Sequence, residues 1–405
     1  MNIFVTLILA MAVIIVMLRR RYPIGPAILA GGIFIWLLQT HDLSNLWTAA
    51  WQTATKGRTY DLLLALYFVM CLEIELRTSG TLDGMIAALQ RLFSSKKITL
   101  AIMPAFLGLL PSLGGARFSA PIVEIASKGS VVTVDEKATI NFWFRHIFEY
   151  VNPINPGMIV ACSIAMIPIS SYIMHIGWLS AIALALGWLF CLQPLNISKH
   201  NKVDTSPEEI RKNIADVVLS LAPVIVNFIL VVAFDYGAAS SMGIVAIGMI
   251  FLLRSTYRVV NVKNVFLGAL DKKMILNILC ILYFIQLLTV TGTLDAVVTA
   301  FQASPLPVPA VIACVSLVIG ILTGLSQGHA AIVLPVVAAV APGDLSLIGI
   351  AMVFGIAGQM ITPTHVCLTV TLDYFKADFF KTLRPVVVME ILLLAIFAVK
   401  TFLFS

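Results

Sequence analysis

Charged residues are scarce in this 405-residue chain, at 11% of the total, against roughly a quarter in an average soluble protein. A soluble fold of this length needs a polar surface, and the residues to build one are missing. The hydrophobic fraction is 60% and the mean hydropathy +1.01. No two cysteines stand in a C-x-x-C spacing. Cys71, Cys162, Cys191, Cys280, Cys314 and Cys367 all fall inside apolar runs, so they read as small packing residues rather than a disulfide framework or a metal set. H-E-x-x-H and the Walker sequence are also absent, and with them the usual signs of zinc hydrolysis and nucleotide hydrolysis. The net charge of +6 does not call for nucleic acid, because Lys and Arg gather in short loops as the positive-inside rule expects.

What remains is a run of apolar segments, many of them near the roughly 20 residues a membrane crossing needs. Met1 to Leu18 has no basic region ahead of its apolar run, and Arg19, Arg20 and Arg21 follow it. It therefore reads as a first span with its N-terminus outside, not as a cleaved signal. Spans are expected at about 2–18, 23–39, 59–76, 138–168 and 172–194. A second set follows at about 216–235, 238–254, 274–291, 345–372 and 385–403. Both termini then lie outside the inner membrane of a prokaryote. The segment 40–58, with Trp47 and Trp51, is placed at the outer interface, and Gln286 is assigned to a helix–helix hydrogen bond. Glu73 and Glu75, beside Arg77, read as interfacial.

Two further apolar stretches, about 98–129 and 307–341, are broken by Pro and Gly and have arms too short to cross. They read as re-entrant helical hairpins, which a bilayer tolerates only when the irregular backbone is buried or lines a cavity. The spans 138–168 and 345–372 are themselves interrupted, at Asn152-Pro153-Ile154-Asn155-Pro156 and at Thr362-Pro363-Thr364-His365. Pro153 and Pro363 each remove a helical hydrogen bond and force the break.

The halves echo each other. Gly80-Thr81-Leu82-Asp83 with Gln90 recurs as Gly292-Thr293-Leu294-Asp295 with Gln302. Ser112-x-Gly114-x-Ala116-x4-Pro121 recurs as Ser326-x-Gly328-x-Ala330-x4-Pro335, and Asn152-Pro153 as Thr362-Pro363, at offsets of 212, 214 and 210 residues. With an odd number of spans per half, the second copy must sit upside down. The expected fold is thus all-α and polytopic, with about ten transmembrane helices and two hairpins in two inverted repeats. Repeat 1 covers 1–195, a polar cytoplasmic linker 196–215, and repeat 2 covers 216–405. Inverted repeats with discontinuous helices are the signature of secondary transporters, which bind substrate near the midplane where the repeats meet.

The residues that spoil the hydrophobicity are the site candidates. At the first tip are Ser112, Gly114, Gly115 and Arg117. Arg117 is read either as a clamp on a substrate carboxylate or as the partner of Glu124 or Glu149. At the second tip are Ser326, Gln327, Gly328 and His329. His329 is read as a substrate ligand or proton carrier, or as a hydrogen bond closing the tip. Gly114, Gly115 and Gly328 are expected to permit tight tip conformations. At the breaks, Asn152, Asn155, Thr362, Thr364 and His365 offer polar groups to substrate or ion. Glu149, with His146, is the candidate for ion coupling, or else the i,i+4 partner of Arg145. Neither a catalytic set nor a bound metal is expected, nor a cofactor beyond Na⁺ or H⁺ as the coupling ion. An intramembrane enzyme built on Glu149, His146, His329 and His365 is the alternative from another class. An exporter or passive channel would use the same scaffold.

The paired amphipathic helices, hairpins and Pro-broken spans resemble the ion transporter superfamily, which includes the divalent-anion/sodium symporters, the gluconate permeases and the membrane subunits of tripartite dicarboxylate transporters. Leu110-Pro111-Ser112-Leu113-Gly114-Gly115-Ala116-Arg117, with Asn141-Phe142-Trp143-Phe144-Arg145-His146 and Asn152-Pro153, is more closely similar to a prokaryotic membrane family defined only as a domain of unknown function. The resemblance implies an elevator-type carrier, a homodimer in the bilayer, moving a small organic anion with Na⁺ or H⁺. The symporters carry Ser-Asn-Thr at their tips. Here Ser112-Leu113-Gly114 and Ser326-Gln327-Gly328 keep only the Ser, and Arg117 and His329 point to a different head group or to proton coupling.

Overall fold

A computed structural model describes residues 3–20, 22–81, 84–85, 88, 95–109, 116–195, 197, 206–303 and 305–403. Every regular element among them is helical. The first half holds α1 (Ile3–Arg19), α2 (Ile24–Gln39), α3 (Leu43–Thr55), α4 (Gly57–Thr78), α5 (Lys96–Leu109) and α6 (Ala116–Ala126). It continues with α7 (Val134–His146), α8 (Pro156–Ala165), α9 (Ile169–Ile176) and α10 (Trp178–Gly187), the last running into a π turn at Trp188–Leu192. The second half holds α11 (Pro207–Val232), α12 (Ala238–Ser255), α13 (Val262–Gly268), α14 (Lys272–Val290) and α15 (Thr293–Gln302). Then come α16 (Val308–Thr323), α17 (Ser326–Val340), α18 (Leu345–Met360), α19 (Val366–Phe375) and α20 (Phe379–Leu403).

Helix starts are marked by side chains that accept otherwise orphaned backbone N–H groups. Asp42 caps α3, Asp271 caps α14 and Asp344 caps α18. Thr133 with Glu136 and Ser206 with Glu209 form capping boxes on α7 and α11. The second box corrects the expected linker: half of it is already helix, because Ser206 starts α11 well before the apolar run begins.

α2 packs on α14 and α4 on α12, so each half lends a helix to the other. Within each half the first hairpin arm lies against the first part of the broken span, α5 on α7 and α16 on α18. Glycine makes both contacts close. A side chain at Gly108 would collide with the Arg145 carbonyl, and one at Gly320 with the Gly355 carbonyl. Such small-residue contacts drive helix association in lipid. The second hairpin arms cross over, with α17 on α8 and α6 on α19.

The apolar runs are more divided than expected. Among the described residues, four stretches are long and apolar enough to cross a membrane, namely Glu208–Val232, Ala238–Ser255, Val262–Val290 and Phe379–Thr401, or five if the pair Pro156–Ala165 and Ile169–Ile176, bent by 109°, counts as one. Other apolar helices have 10–17 residues. The expected span 172–194 is also split, since α9 ends at Ile176 and α10 starts at Trp178. The fold defines a multi-pass helical membrane protein.

The second hairpin turns at Gly324, which has φ +62°, and not at Gly328. Gly328 already lies in the first turn of α17, where helical φ needs no glycine, and its open face meets Ile24. Positive φ recurs in matched places: Gly80 (+72°) and Gly292 (+68°), Gly129 (+71°) and Gly343 (+74°), Met166 and Lys376 (both +54°). Met166 and Lys376 are the left-handed caps that end α8 and α19.

Candidate functional site

α7 stops at His146 and α8 starts at Pro156, so 147–155 is a string of turns. Asn155 accepts from Gly157 N at 2.8 Å and caps α8, with Pro156 at its first position, where a missing N–H costs nothing. α18 stops at Met360 and α19 begins after His365. Each break is tied to its own hairpin by one side-chain hydrogen bond. Asn152 Nδ2 donates to the Leu109 carbonyl at 3.0 Å, and Thr364 Oγ1 to the Ile321 carbonyl at 3.2 Å. These satisfy carbonyls at the ends of α5 and α16 that have no helical partner. Thr362 and Thr364 hydroxyls also meet at 3.0 Å. Thr362 is buried, whereas Pro363 and Thr364 are exposed.

The two breaks meet at Glu149. Gln359 Nε2 sits 3.0 and 2.9 Å from its carboxylate oxygens, and His146 Nε2 lies 4.0 Å from one of them. Arg145, His365 and Glu390 lie within its electrostatic reach. The expected i,i+4 alignment of Arg145 with Glu149 assumed an unbroken helix. Because α7 ends at His146, the turn carries Glu149 off the helical phase and toward α18. His365 stacks edge-on against His146, with ring centroids 4.8 Å apart, and Cys367 completes a group with both. A cavity of about 10 Å³, lined by His146, Tyr150, Met360 and Glu390 among others, leaves room for about one water.

A second group forms where α17 begins. Ser326 lies so close to Gly157 that a side chain there would collide with the Ser326 hydroxyl. Hence the N-termini of α8 and α17 face each other, with Asn155 beside them and Gln327 partly exposed. His329 is not at the tip. It is fully buried against Gly355, and neither ring nitrogen has a hydrogen-bond partner among the described residues. The spacing Gly324-x-Ser326-x-Gly328 matches the nucleophile elbow of serine hydrolases, but that motif needs a strand-to-helix turn and here it joins two helices.

Ser112, Gly114, Gly115 and the Arg117 side chain lie outside the described residues, as does most of the stretch 80–93. Glu124, one suggested partner of Arg117, accepts from Tyr374 Oη at 2.6 Å. Gln286, expected in a helix–helix hydrogen bond, instead accepts from Lys56 Nζ at 2.6 Å, in the one-residue link between α3 and α4. Glu73 pairs with Arg77 at 3.5 Å, but Glu75 is not interfacial. It faces the core, fully buried, with neither oxygen partnered among the described residues. Three residues of the Glu149 cluster escaped the sequence reading: Gln359, Cys367 and Glu390. Glu390 carried a signal, as an acid inside an apolar span. Cys367 carried none.

The fold and its broken helices define an all-helical membrane protein. The chain belongs to the family described as "Protein of unknown function (DUF401)", whose profile matches residues 3–403. It is similar to the crystal structure of the YdaH transporter of Alcanivorax borkumensis, described as having an unusual topology. The TM-score is 0.64 and the identity 14%, over 90% of this chain and 89% of that one. No curated protein matches.

Proposed function

We propose that this protein is an ion-coupled secondary transporter that moves a small organic anion, by an elevator-like motion, across a prokaryotic inner membrane. The observation that carries the reading is the matched pair of ties from break to hairpin, Asn152 to Leu109 and Thr364 to Ile321. Two halves that repeat a side-chain tie, a close glycine contact and three positive-φ positions support an inverted repeat of one ancestral unit. Broken helices around a repeat interface suit binding near the midplane.

The facing N-termini of α8 and α17, at Gly157 and Ser326, are the proposed seat of the anion. Both present the positive end of a helix dipole, and at α8 the Gly157 N–H is already held by the Asn155 side chain. Asn155, Gln327 and Arg117 are assigned to the same substrate. Glu149, with Gln359 and His146, is assigned to the coupling cation. It links the two breaks directly, so occupancy of one is felt by the other.

The test is uptake into proteoliposomes under imposed Na⁺ or H⁺ gradients, with a broad panel of labelled organic anions. Gradient-dependent accumulation of at least one anion is expected, with loss in Asn155→Ala. Absence of gradient-driven uptake over the whole panel overturns the reading.

A further inference from the structure

We propose that His146, His365 and Cys367, closed by Glu149, form a site for a borderline divalent transition metal of the Zn²⁺ kind. One ligand atom of each of the three lies within 4.8 Å of the others. Metal–nitrogen bonds of about 2.0–2.1 Å and metal–sulfur bonds of about 2.3 Å put tetrahedral ligand atoms about 3.3–3.8 Å apart. A contraction of about 1 Å, within the range of side-chain rotation, therefore completes the site.

The imidazoles are already oriented as ligands. His146 Nδ1 lies 2.6 Å from the Phe142 carbonyl, and His365 Nδ1 lies 3.0 Å from the Gln359 carbonyl. A carbonyl only accepts, so each Nδ1 carries the proton and each Nε2 keeps its lone pair. Metal-binding histidines are typically held in this way by a backbone carbonyl on the other ring nitrogen. His146 Nε2 faces the Glu149 carboxylate at 4.0 Å, which supplies the fourth ligand. Phe142 packs on both rings, with centroids 4.8 and 5.2 Å away, and walls the group off with apolar surface.

A mixed imidazole, thiolate and carboxylate set favours Zn²⁺ or Co²⁺ over Mg²⁺ or Ca²⁺. Cys367 and His365 belong to the second break and His146 and Glu149 to the first, so the ion would clasp the two broken spans together. The inference does not rest on the transport reading, but it takes Glu149 and His146 for the metal, so a metal-loaded carrier would couple its cation through other groups.

The test uses purified full-length protein, stripped with chelator, exposed to Zn²⁺ or Co²⁺ and desalted. About one equivalent of Zn²⁺ per chain is expected, and Co²⁺ should give ligand-field bands with a thiolate charge-transfer band. Cys367→Ser, nearly isosteric, should lose the charge-transfer band and weaken metal retention at least about tenfold. His365→Gln should weaken it as well, while Cys314→Ser, at an exposed cysteine, should keep the full signal. Retention below about a tenth of an equivalent overturns the proposal, and so does a Co²⁺ spectrum unchanged in Cys367→Ser. Gradient-driven uptake, assayed separately, decides the transport reading whichever way the metal result falls.

Discussion

Gln359 Nε2 lies within 3.0 Å of both carboxylate oxygens of Glu149, so an amide at the end of α18 holds the acid of the other broken span. The contact is long-range in sequence and sheltered, since Gln359 is 2% exposed. Replacing Gln359 with Leu leaves a partly buried carboxylate without its donor, a loss of about 1–3 kcal/mol. The expected result is a lower thermal midpoint in detergent. In a double-mutant cycle with Glu149→Leu, the doubly substituted protein should recover part of the loss, with a coupling of about 0.5–3 kcal/mol. Additive losses would mean that the two side chains do not interact in the folded protein.

His329 and Gly355 form a packed pair, in which the imidazole occupies the space a Cβ would take. Gly355→Ala should destabilise by about 1–3 kcal/mol, as overpacking does. His329→Ala opens that space, so His329→Ala combined with Gly355→Ala should be more stable than Gly355→Ala alone. Thermal unfolding of the four proteins checks this. If His329→Ala fails to rescue Gly355→Ala, the ring does not lie on Gly355.

The coarse plan of the molecule was legible in the sequence, and the reasons are physical. Hydrophobic runs, Pro153 and Pro363 marked the broken spans, because a bilayer allows few other uses of such patterns. Gly80 and Gly292 were matched by sequence and prove matched in positive φ. What periodicity could not give was the direction of a side chain beyond a helix end. Glu149 was placed on the face of Arg145 because the end of α7 at His146 was not foreseen. His329 was put at a tip because Gly324, not Gly328, makes the turn. Cys367 looked like packing, since only the tertiary crossing of α7 and α19 brings it to His146.

Asn152→Ala and Thr364→Val each delete one tie between a break and its hairpin. A neutral side-chain-to-carbonyl hydrogen bond contributes about 0.5–1.5 kcal/mol. The two ties occupy matching places, so the two losses should be similar, and additive in the double variant because no contact links Asn152 to Thr364 among the described hydrogen bonds. Thermal midpoints measure the size. Cysteine pairs placed across each break and hairpin, read by cross-linking rate, should report the larger loosening in the half that carries the substitution. Equal loosening of both hairpins by either variant would show that neither tie holds its own hairpin.

Glu75 is a carboxyl in the core with neither oxygen partnered among the described residues. It sits in the last turns of α4, where its neighbours Ile74 and Leu76 are buried as well. A buried acid with no hydrogen-bond partner costs folding free energy whichever protonation state it adopts, and an apolar side chain of similar size removes that cost. Glu75→Leu should therefore raise the thermal midpoint of the purified protein, by the equivalent of about 1–3 kcal/mol. Glu75→Gln, which keeps a polar head in the same place, should not raise it. A fall in Glu75→Leu would mean that the folded protein pairs this carboxyl after all. A rise accompanied by lost uptake would mark Glu75 as an acid kept for transport at the expense of stability.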